Sequence, residues 1–301
     1  MKADQQTLPR SAWLLFAILT AGWGFNWPMM KLALAEIPVL TFRTLCIAAG
    51  GIGLLAIGHI NRQPLLPPRS QWARLAATAA LNVTGWNILI AYGLTALPAG
   101  RAAILAYTMP LWVALLSVPL LKEPLKPRRL LGVTLGMSGM ALLLVSELSG
   151  LSAAPLGALM VVGAAFSWGL GTVLIKRYPI DLPTTSFTAW ELILGGMPIL
   201  AGALLLENGK LHALSWPATF ALLYNMLVAF VLGHWVWFEL VNRASAAVSA
   251  LSTLLIPVVG VFSSMLVLHE RPDWAEYLAL ILVLGAIATV IIPRDAGHPR
   301  S

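Results

Sequence analysis

Two short clusters of asparagine and tryptophan interrupt long apolar stretches of the sequence. Trp23 and Asn26 are three residues apart, a spacing that places both side chains on one face of a helix. Asn82 and Asn87 flank Trp86 in a run otherwise rich in Ala, Leu, Ile and Val. An amide both donates and accepts hydrogen bonds, so it can hold a carboxylate and an ammonium group without a fixed charge. Indole rings add flat apolar walls, and these residues therefore predict reversible binding, with hydrogen bonding between helices as the alternative.

Three further side chains extend this candidate binding set: Tyr107, Trp168 and His234. No histidine or carboxylate stands three or four residues after His234, so no metal site is predicted there. Its alternative role is a hydrogen bond to a backbone carbonyl. The predicted ligand-binding residues are Trp23, Asn26, Asn82, Trp86, Tyr107, Trp168 and His234.

The sequence carries none of the motifs that mark hydrolytic or nucleotide-driven chemistry. HExxH, GxSxG and the phosphate-binding GxxxxGK[ST] loop are absent, which excludes ATP-driven pumping within this chain. The single cysteine, Cys46, can form neither an intrachain disulfide nor a cysteine-based metal site. We therefore predict no enzymatic activity, no cofactor and no metal.

The elements that must position these residues are membrane-spanning helices. Of the 301 residues, 59% are hydrophobic and only 10% are charged, whereas soluble domains carry about 25% charged residues. Backbone groups in hydrocarbon must be satisfied within the segment, and about 20 apolar residues are needed for a helix to cross. The sequence predicts ten such spans, at residues 12–34, 38–59, 71–95, 99–121, 128–146, 155–177, 184–206, 216–241, 246–268 and 274–292.

The distribution of lysine and arginine predicts how these spans are oriented. Alternating the loops places 14 of the 19 basic residues on the side of both termini and leaves five on the other. By the positive-inside rule, the tails at 1–11 and 293–301 lie in the cytoplasm. The formal net charge of +7 is therefore a sign of topology, and no nucleic-acid partner is predicted.

The first half of the chain resembles the second. Four residues recur with the same types at offsets of 145 or 147, in the pairs Trp23/Trp168, Lys31/Lys176, Pro110/Pro257 and Glu123/Glu270. The units at 12–146 and 155–292 each hold five predicted spans, and this odd number requires the two copies to run in opposite senses. Inverted repeats of this kind allow inward-open and outward-open states to form from equivalent packings.

These motifs resemble a known group of membrane proteins. Trp23-Gly24 with Lys31, and Trp168-Gly169 with Lys176, are similar to the first and sixth helices of the drug/metabolite transporter superfamily. The Pro-to-Glu segments at 110–123 and 257–270 resemble the fourth and ninth helices of its ten-helix, EamA-type branch. Within that branch, the chain most resembles the YddG-type exporters of aromatic amino acids.

The resemblance implies an all-α integral membrane protein with ten transmembrane helices built from two inverted five-helix repeats. It implies export of small metabolites, above all aromatic and other neutral amino acids, by alternating access through a central cavity between the repeats. The protein is expected to be a monomer in the inner membrane. Its expected partners are a small-molecule substrate and the lipid bilayer. Alternatives are an exporter of drugs, nucleosides or other metabolites, and a membrane-embedded enzyme or sensor.

Five residues are predicted to act as hinges or gates: Pro28, Pro110, Pro257, Lys31 and Lys176. A proline within a helix frees a backbone carbonyl, which can serve a ligand, a hinge or a neighbouring side chain. The two lysines form gate contacts or, as the alternative, anchor their helix ends at the membrane surface. Glu191, a carboxylate well inside a span, is the first group to test for proton coupling.

Overall fold

The computed structural model describes residues 10–123, 127–149, 154–208, 212–237 and 246–291, where helices are joined by short connections and no β-strand is present. Each apolar stretch satisfies its backbone hydrogen bonds internally, as a hydrocarbon environment requires. In chain order the helices are α1 Arg10–Leu34, α2 Val39–Ile60, α3 Arg69–Ala96, α4 Ala99–Leu121, α5 Pro127–Ser149, α6 Pro155–Arg177, α7 Thr184–Leu206, α8 Trp216–Trp237, α9 Ala246–Leu268 and α10 Trp274–Ile291.

Among the described residues, six helices are long and apolar enough to cross a membrane, namely α2, α3, α4, α6, α7 and α8. Shorter apolar stretches lie in α5, α9 and α10, at Leu130–Val145, Leu255–Leu268 and Trp274–Thr289. Large apolar side chains on the outer surface are exposed, such as Leu205 at 82% and Ile52 at 68%. An apolar outer surface of this kind is stable in lipid and not in water, so the chain is a multi-pass membrane protein.

The helices pair mainly across the two halves of the chain. α2 packs along α7, α5 along α10, α1 along α9, and α6 along both α3 and α4. Small residues permit the close approach of helices in a membrane. A Cβ atom added to Gly195 on α7 would lie 2.5 Å from the Cβ of Val83 and 2.6 Å from the Ala79 carbonyl oxygen on α3. This glycine therefore fixes how closely α7 approaches the part of α3 that carries Asn82.

Two glutamates hold the first turns of helices from the opposite half. Glu207, after α7, accepts hydrogen bonds from the backbone amides of Leu40 at 3.1 Å and Thr41 at 2.7 Å. Glu270, after α9, accepts from the amides of Ala99 at 2.7 Å and Gly100 at 3.0 Å. The first amides of a helix have no partner within the helix and carry partial positive charge. Each carboxylate therefore ties the start of one helix to the other half of the chain.

Helices α3 and α8 each contain a π-helical turn, at Ala80–Gly85 and Tyr224–Leu232. The sequence predicted uninterrupted spans at both places. A π turn widens the helix locally and commonly occurs at functional sites. In α3 it contains Asn82 and ends just before Trp86, so the interruption falls among the predicted binding residues.

Candidate binding cavity

All seven predicted binding residues line one cavity of about 170 Å³. α1 contributes Trp23 and Asn26, and α3 contributes Asn82 and Trp86. Tyr107 comes from α4, Trp168 from α6 and His234 from α8, so the wall is drawn from both halves of the chain. Helices α2 and α7, which hold none of the seven predicted residues, also contribute to the wall.

Aromatic rings form two walls of the cavity. The rings of Trp86 and Trp168 meet edge to face, with centroids 5.1 Å apart. The Trp23 ring meets the His234 imidazole in the same way at 5.8 Å. Edge-to-face packing is a favourable geometry for such rings. The cavity is therefore bounded by flat apolar surfaces suited to an aromatic or other apolar group.

Both members of the second ring pair are fixed by backbone carbonyls of α8. The Trp23 indole Nε1 donates to the Ala229 carbonyl at 3.0 Å. The His234 Nδ1 lies 2.7 Å from the Phe230 carbonyl oxygen, and because a carbonyl only accepts, Nδ1 carries the proton. The backbone hydrogen bond considered as an alternative role for His234 is thus present, and the residue also lines the cavity.

Three asparagines face the cavity with unused hydrogen-bonding capacity. Asn82 donates through Nδ2 to Glu191 Oε1 at 3.3 Å, and Asn87 donates through Nδ2 to the Val83 carbonyl at 2.8 Å. These bonds fix the amide orientation, and the buried Oδ1 atoms of Asn26, Asn82 and Asn87 have no partner among the described residues. Asn82 Oδ1 lies against α6, since a Cβ atom added to Gly171 would be 1.9 Å from it. A buried acceptor without a donor is costly, and an N–H group of a ligand would relieve that cost at any of these oxygens that it reaches.

Sequence reasoning missed several lining residues, of which Arg43 is chemically the most important. Among the five basic residues that the sequence places on the side away from the termini is Arg43. In the structure α2 begins at Val39, and the Arg43 side chain lies buried at the cavity. The signal was available, since a cation within an apolar span marks a functional position. Other lining residues outside the predicted set are Trp27, Met30, Val83, Asn87, Ile90, Met109, Thr188, Glu191, Leu192, Ala229 and Phe230.

The three predicted hinge prolines lie in different backbone settings. α1 continues as a helix through Pro28, and the Gly24 carbonyl four residues earlier accepts a hydrogen bond from Ser263 Oγ at 3.3 Å. A neighbouring helix thus uses the carbonyl that the proline leaves free. Pro257 also lies inside a continuous helix. In α4 the helix is interrupted at residues 107–108, just before Pro110.

The two predicted gate lysines make different contacts at opposite ends of the bundle. Lys31 Nζ donates to the Leu94 carbonyl at 2.9 Å and also to the Leu97 carbonyl, both at the end of α3. Lys176 forms an ion pair with Glu123. A second cavity of about 310 Å³ is lined by Tyr107 and Trp168, which also line the first, and extends to this ion pair.

We expect Gly195→Ala to destabilise the protein by about 1–3 kcal/mol, the usual cost of overpacking. The added methyl group would meet both the Val83 side chain and backbone of α3, which has little freedom to move. Gly163→Ala on α6 is the matched control, because its nearest neighbour is the Leu89 Cδ1 atom at 3.5 Å, an ordinary contact. Melting temperatures in detergent would measure both, and equal shifts would contradict the close contact.

The residues that the structure describes contain no group of three or more His, Cys, Asp or Glu side chains able to hold a metal ion. The cavity combines apolar rings, amides and two oppositely charged side chains. Such a lining can bind a small organic molecule reversibly.

The described helices form a membrane bundle with a cavity drawn from both halves of the chain, an arrangement compatible with a small-molecule carrier. The chain belongs to the EamA-like transporter family, whose sequence model matches residues 10–145 and 155–292. The family is one of transporters, so the function of this chain is transport.

Similar proteins from several bacteria extend over most of the chain. The uncharacterized transporter YvbV of Bacillus subtilis (strain 168) is 31% identical over 279 residues, covering 92% of this chain and 90% of that protein. The probable amino-acid metabolite efflux pump of Escherichia coli (strain K12) is 24% identical over 303 residues, covering 93% and 94%. A crystal structure of a protein 20% identical in sequence superposes with a TM-score of 0.63 over 93% of this chain and 96% of that one, which shows a shared fold.

Proposed function

We propose that this transporter exports aromatic and other neutral amino acids through the central cavity by alternating access. The observation that carries the proposal is the composition of the cavity wall. Trp86 and Trp168 offer an apolar surface for a side chain, and the free amide oxygens, together with Glu191, offer acceptors for an ammonium group. An amino acid has these two parts, and a YddG-like aromatic specificity would follow from the indole walls.

The names of two relatives support the proposed export of amino acids. The Escherichia coli relative and a second one from Salmonella typhimurium, 25% identical over 300 residues, are both described as probable amino-acid metabolite efflux pumps. Both cover 93% of this chain. Export of an amino-acid metabolite fits a cavity that pairs apolar rings with acceptors for an ammonium group.

The proposed architecture is ten membrane-spanning helices in two inverted five-helix repeats, at 12–146 and 155–292. Support comes from the pairing of α2 with α7 and α5 with α10, each joining equivalent helices of the two halves. The π turns of α3 and α8 also lie at equivalent positions, and the family model matches the chain twice. Inverted halves of this kind permit two alternately open states around one site.

In this scheme Lys31 and Lys176 act as gates at the two ends, while Pro28, Pro110 and Pro257 serve as hinges. Two observations support these roles: Lys31 donates hydrogen bonds to the end of α3, and the second cavity lies at the Lys176 end. Both termini of the proposed carrier lie in the cytoplasm, an orientation that the excess of basic residues on their side supports. We propose that the protein is a monomer in the inner membrane. The second cavity would then be the cytoplasmic entrance.

Counterflow of labelled phenylalanine into proteoliposomes, with and without a pH gradient, tests the proposal. We expect uptake well above that of empty liposomes and competition by unlabelled tryptophan and leucine. Absence of phenylalanine flux would overturn the substrate assignment. The substrate assignment would also be overturned if a cationic viologen blocked flux and unlabelled neutral amino acids did not. That pattern would indicate a drug exporter.

A further inference from the structure

Arg43 is a cation enclosed in the membrane bundle, and none of the described residues forms an ion pair with it. Its side chain is 2% exposed and lines the central cavity. Nη2 donates to the Met30 sulfur at 3.1 Å, and the guanidinium carbon lies 5.3 Å from the centre of the Phe42 ring. The buried Nε has no hydrogen-bond partner, and no carboxylate among the described residues forms an ion pair with Arg43.

This arrangement leaves most of the hydrogen-bonding capacity of the guanidinium unused. Arginine has five N–H donors in a planar fork, and a thioether sulfur is a weak acceptor. Removing an unpaired charge from water is costly, and charged residues within spans usually face a cavity or a partner. A ligand carboxylate would accept two parallel N–H bonds from the fork and would compensate the charge.

The opposite charge at the cavity comes from the other half of the chain. Glu191 on α7 lines the same cavity and accepts its hydrogen bond from Asn82. At the offset of 145 that relates the halves, Arg43 corresponds to Thr188 and Glu191 corresponds to Cys46. The two charges are therefore not part of the duplicated framework, and each half contributes one of them.

We infer that Arg43 binds the carboxylate of the transported substrate and makes the cavity select carboxylate-bearing molecules over the corresponding amines. The inference rests on the proposed function for the identity of the substrate as an amino acid. The substrate ammonium then lies toward Glu191 and the free amide oxygens, and its side chain against the indole walls. In this scheme Arg43 is a binding residue. The carboxylate of the substrate lies at α2, and its ammonium group lies at α7.

Binding by purified protein in detergent, measured by isothermal titration calorimetry, tests the inference. The ligands are phenylalanine, phenethylamine, which lacks the carboxylate, and 3-phenylpropionate, which lacks the ammonium. We expect wild type to bind phenylalanine at least about tenfold more tightly than phenethylamine. Arg43→Gln should weaken phenylalanine and 3-phenylpropionate at least about tenfold and leave phenethylamine unchanged. Arg74→Gln, at an exposed arginine outside the cavity, is the matched control and should change none of the three affinities.

The outcomes separate this inference from the proposed function. Phenylalanine flux in wild type with equal binding of phenylalanine and phenethylamine would overturn the role of Arg43 while the transport proposal stands. Loss of 3-phenylpropionate binding in Arg43→Gln, without any phenylalanine flux in wild type, would support Arg43 and overturn the amino-acid assignment. If Arg43→Gln does not fold, the wild-type ligand series and Arg43→Lys, which keeps the charge and loses the fork, decide the question. Wild type that binds neither carboxylate overturns the inference.

Discussion

Replacing Asn82 and Trp86 together by alanine is expected to lower phenylalanine flux by about a hundredfold. Trp86 forms the aromatic wall with Trp168, and Asn82 lines the cavity, donates to Glu191 and has an Oδ1 atom without a hydrogen-bond partner among the described residues. Aromatic stacking contributes about 0.5–1.5 kcal/mol beyond burial, and a hydrogen bond to a charged group contributes about 1.5–3 kcal/mol. A combined loss of about 3 kcal/mol corresponds to a factor of about a hundred.

A matched double variant separates the loss of binding from a loss of stability. Asn225→Ala with Trp190→Ala removes the same two residue types outside the cavity, where Asn225 donates to the Ala221 carbonyl and Trp190 to the Leu65 carbonyl. We expect this control to retain flux when flux is normalised to the amount of monodisperse protein. Equal losses in the two double variants would mean that the asparagine and tryptophan of the cavity act through packing alone.

Glu191→Gln is expected to lower phenylalanine flux by about thirtyfold or more. The substitution keeps the shape of the side chain and removes the negative charge that faces the cavity, where Glu191 is 6% exposed. Loss of one partner from a buried, hydrogen-bonded charge pair costs about 2–5 kcal/mol, because the ammonium group would then be desolvated without compensation. Binding of 3-phenylpropionate, which has no ammonium group, should remain within about threefold of wild type on the same reasoning.

Flux in proteoliposomes and calorimetry on the same preparations measure this effect. Glu36→Gln, at an exposed carboxylate in the loop after α1, makes the same chemical change outside the cavity. Glu36 accepts from the Ser215 amide at 2.8 Å, and glutamine keeps a carbonyl oxygen for this bond, so flux should be retained. Parallel losses of phenylalanine and 3-phenylpropionate binding in Glu191→Gln would indicate a packing role. Full phenylalanine flux combined with a lost response to the pH gradient would assign proton coupling, and not ammonium binding, to Glu191.

The helical class of the protein and its place in a membrane followed from composition and the lengths of apolar runs. The predicted spans at 99–121 and 184–206 coincide with α4 and α7. These features are local, because each segment must satisfy its own backbone in hydrocarbon. The π turns at Ala80–Gly85 and Tyr224–Leu232 could not be predicted, since the apolar pattern does not specify one extra residue in a helical turn.

The residues that line the cavity were predictable in part, because polar and aromatic side chains are conspicuous in an apolar chain. Trp23 and Asn26 could be assigned to one helix face by spacing alone. Arg43 was missed because a basic residue near the start of a span resembles an anchor at the membrane surface. Its position at the cavity depends on the helices that pack around α2, above all α7. Glycines at the contacts between α2 and α7 set the distance between these helices, and the two helices are far apart in the sequence.

The sequence by itself determined a helical membrane protein, the candidate aromatic and amide residues and a resemblance between the two halves. Each of these depends on residue type or on spacing along one segment. Only the tertiary structure decided that residues from seven helices share one cavity, that Arg43 and Glu191 face it without pairing, and that the carbonyl freed by Pro28 is used by Ser263. Those facts depend on how segments far apart in the chain pack, and packing distances are not written in the local pattern of any one segment.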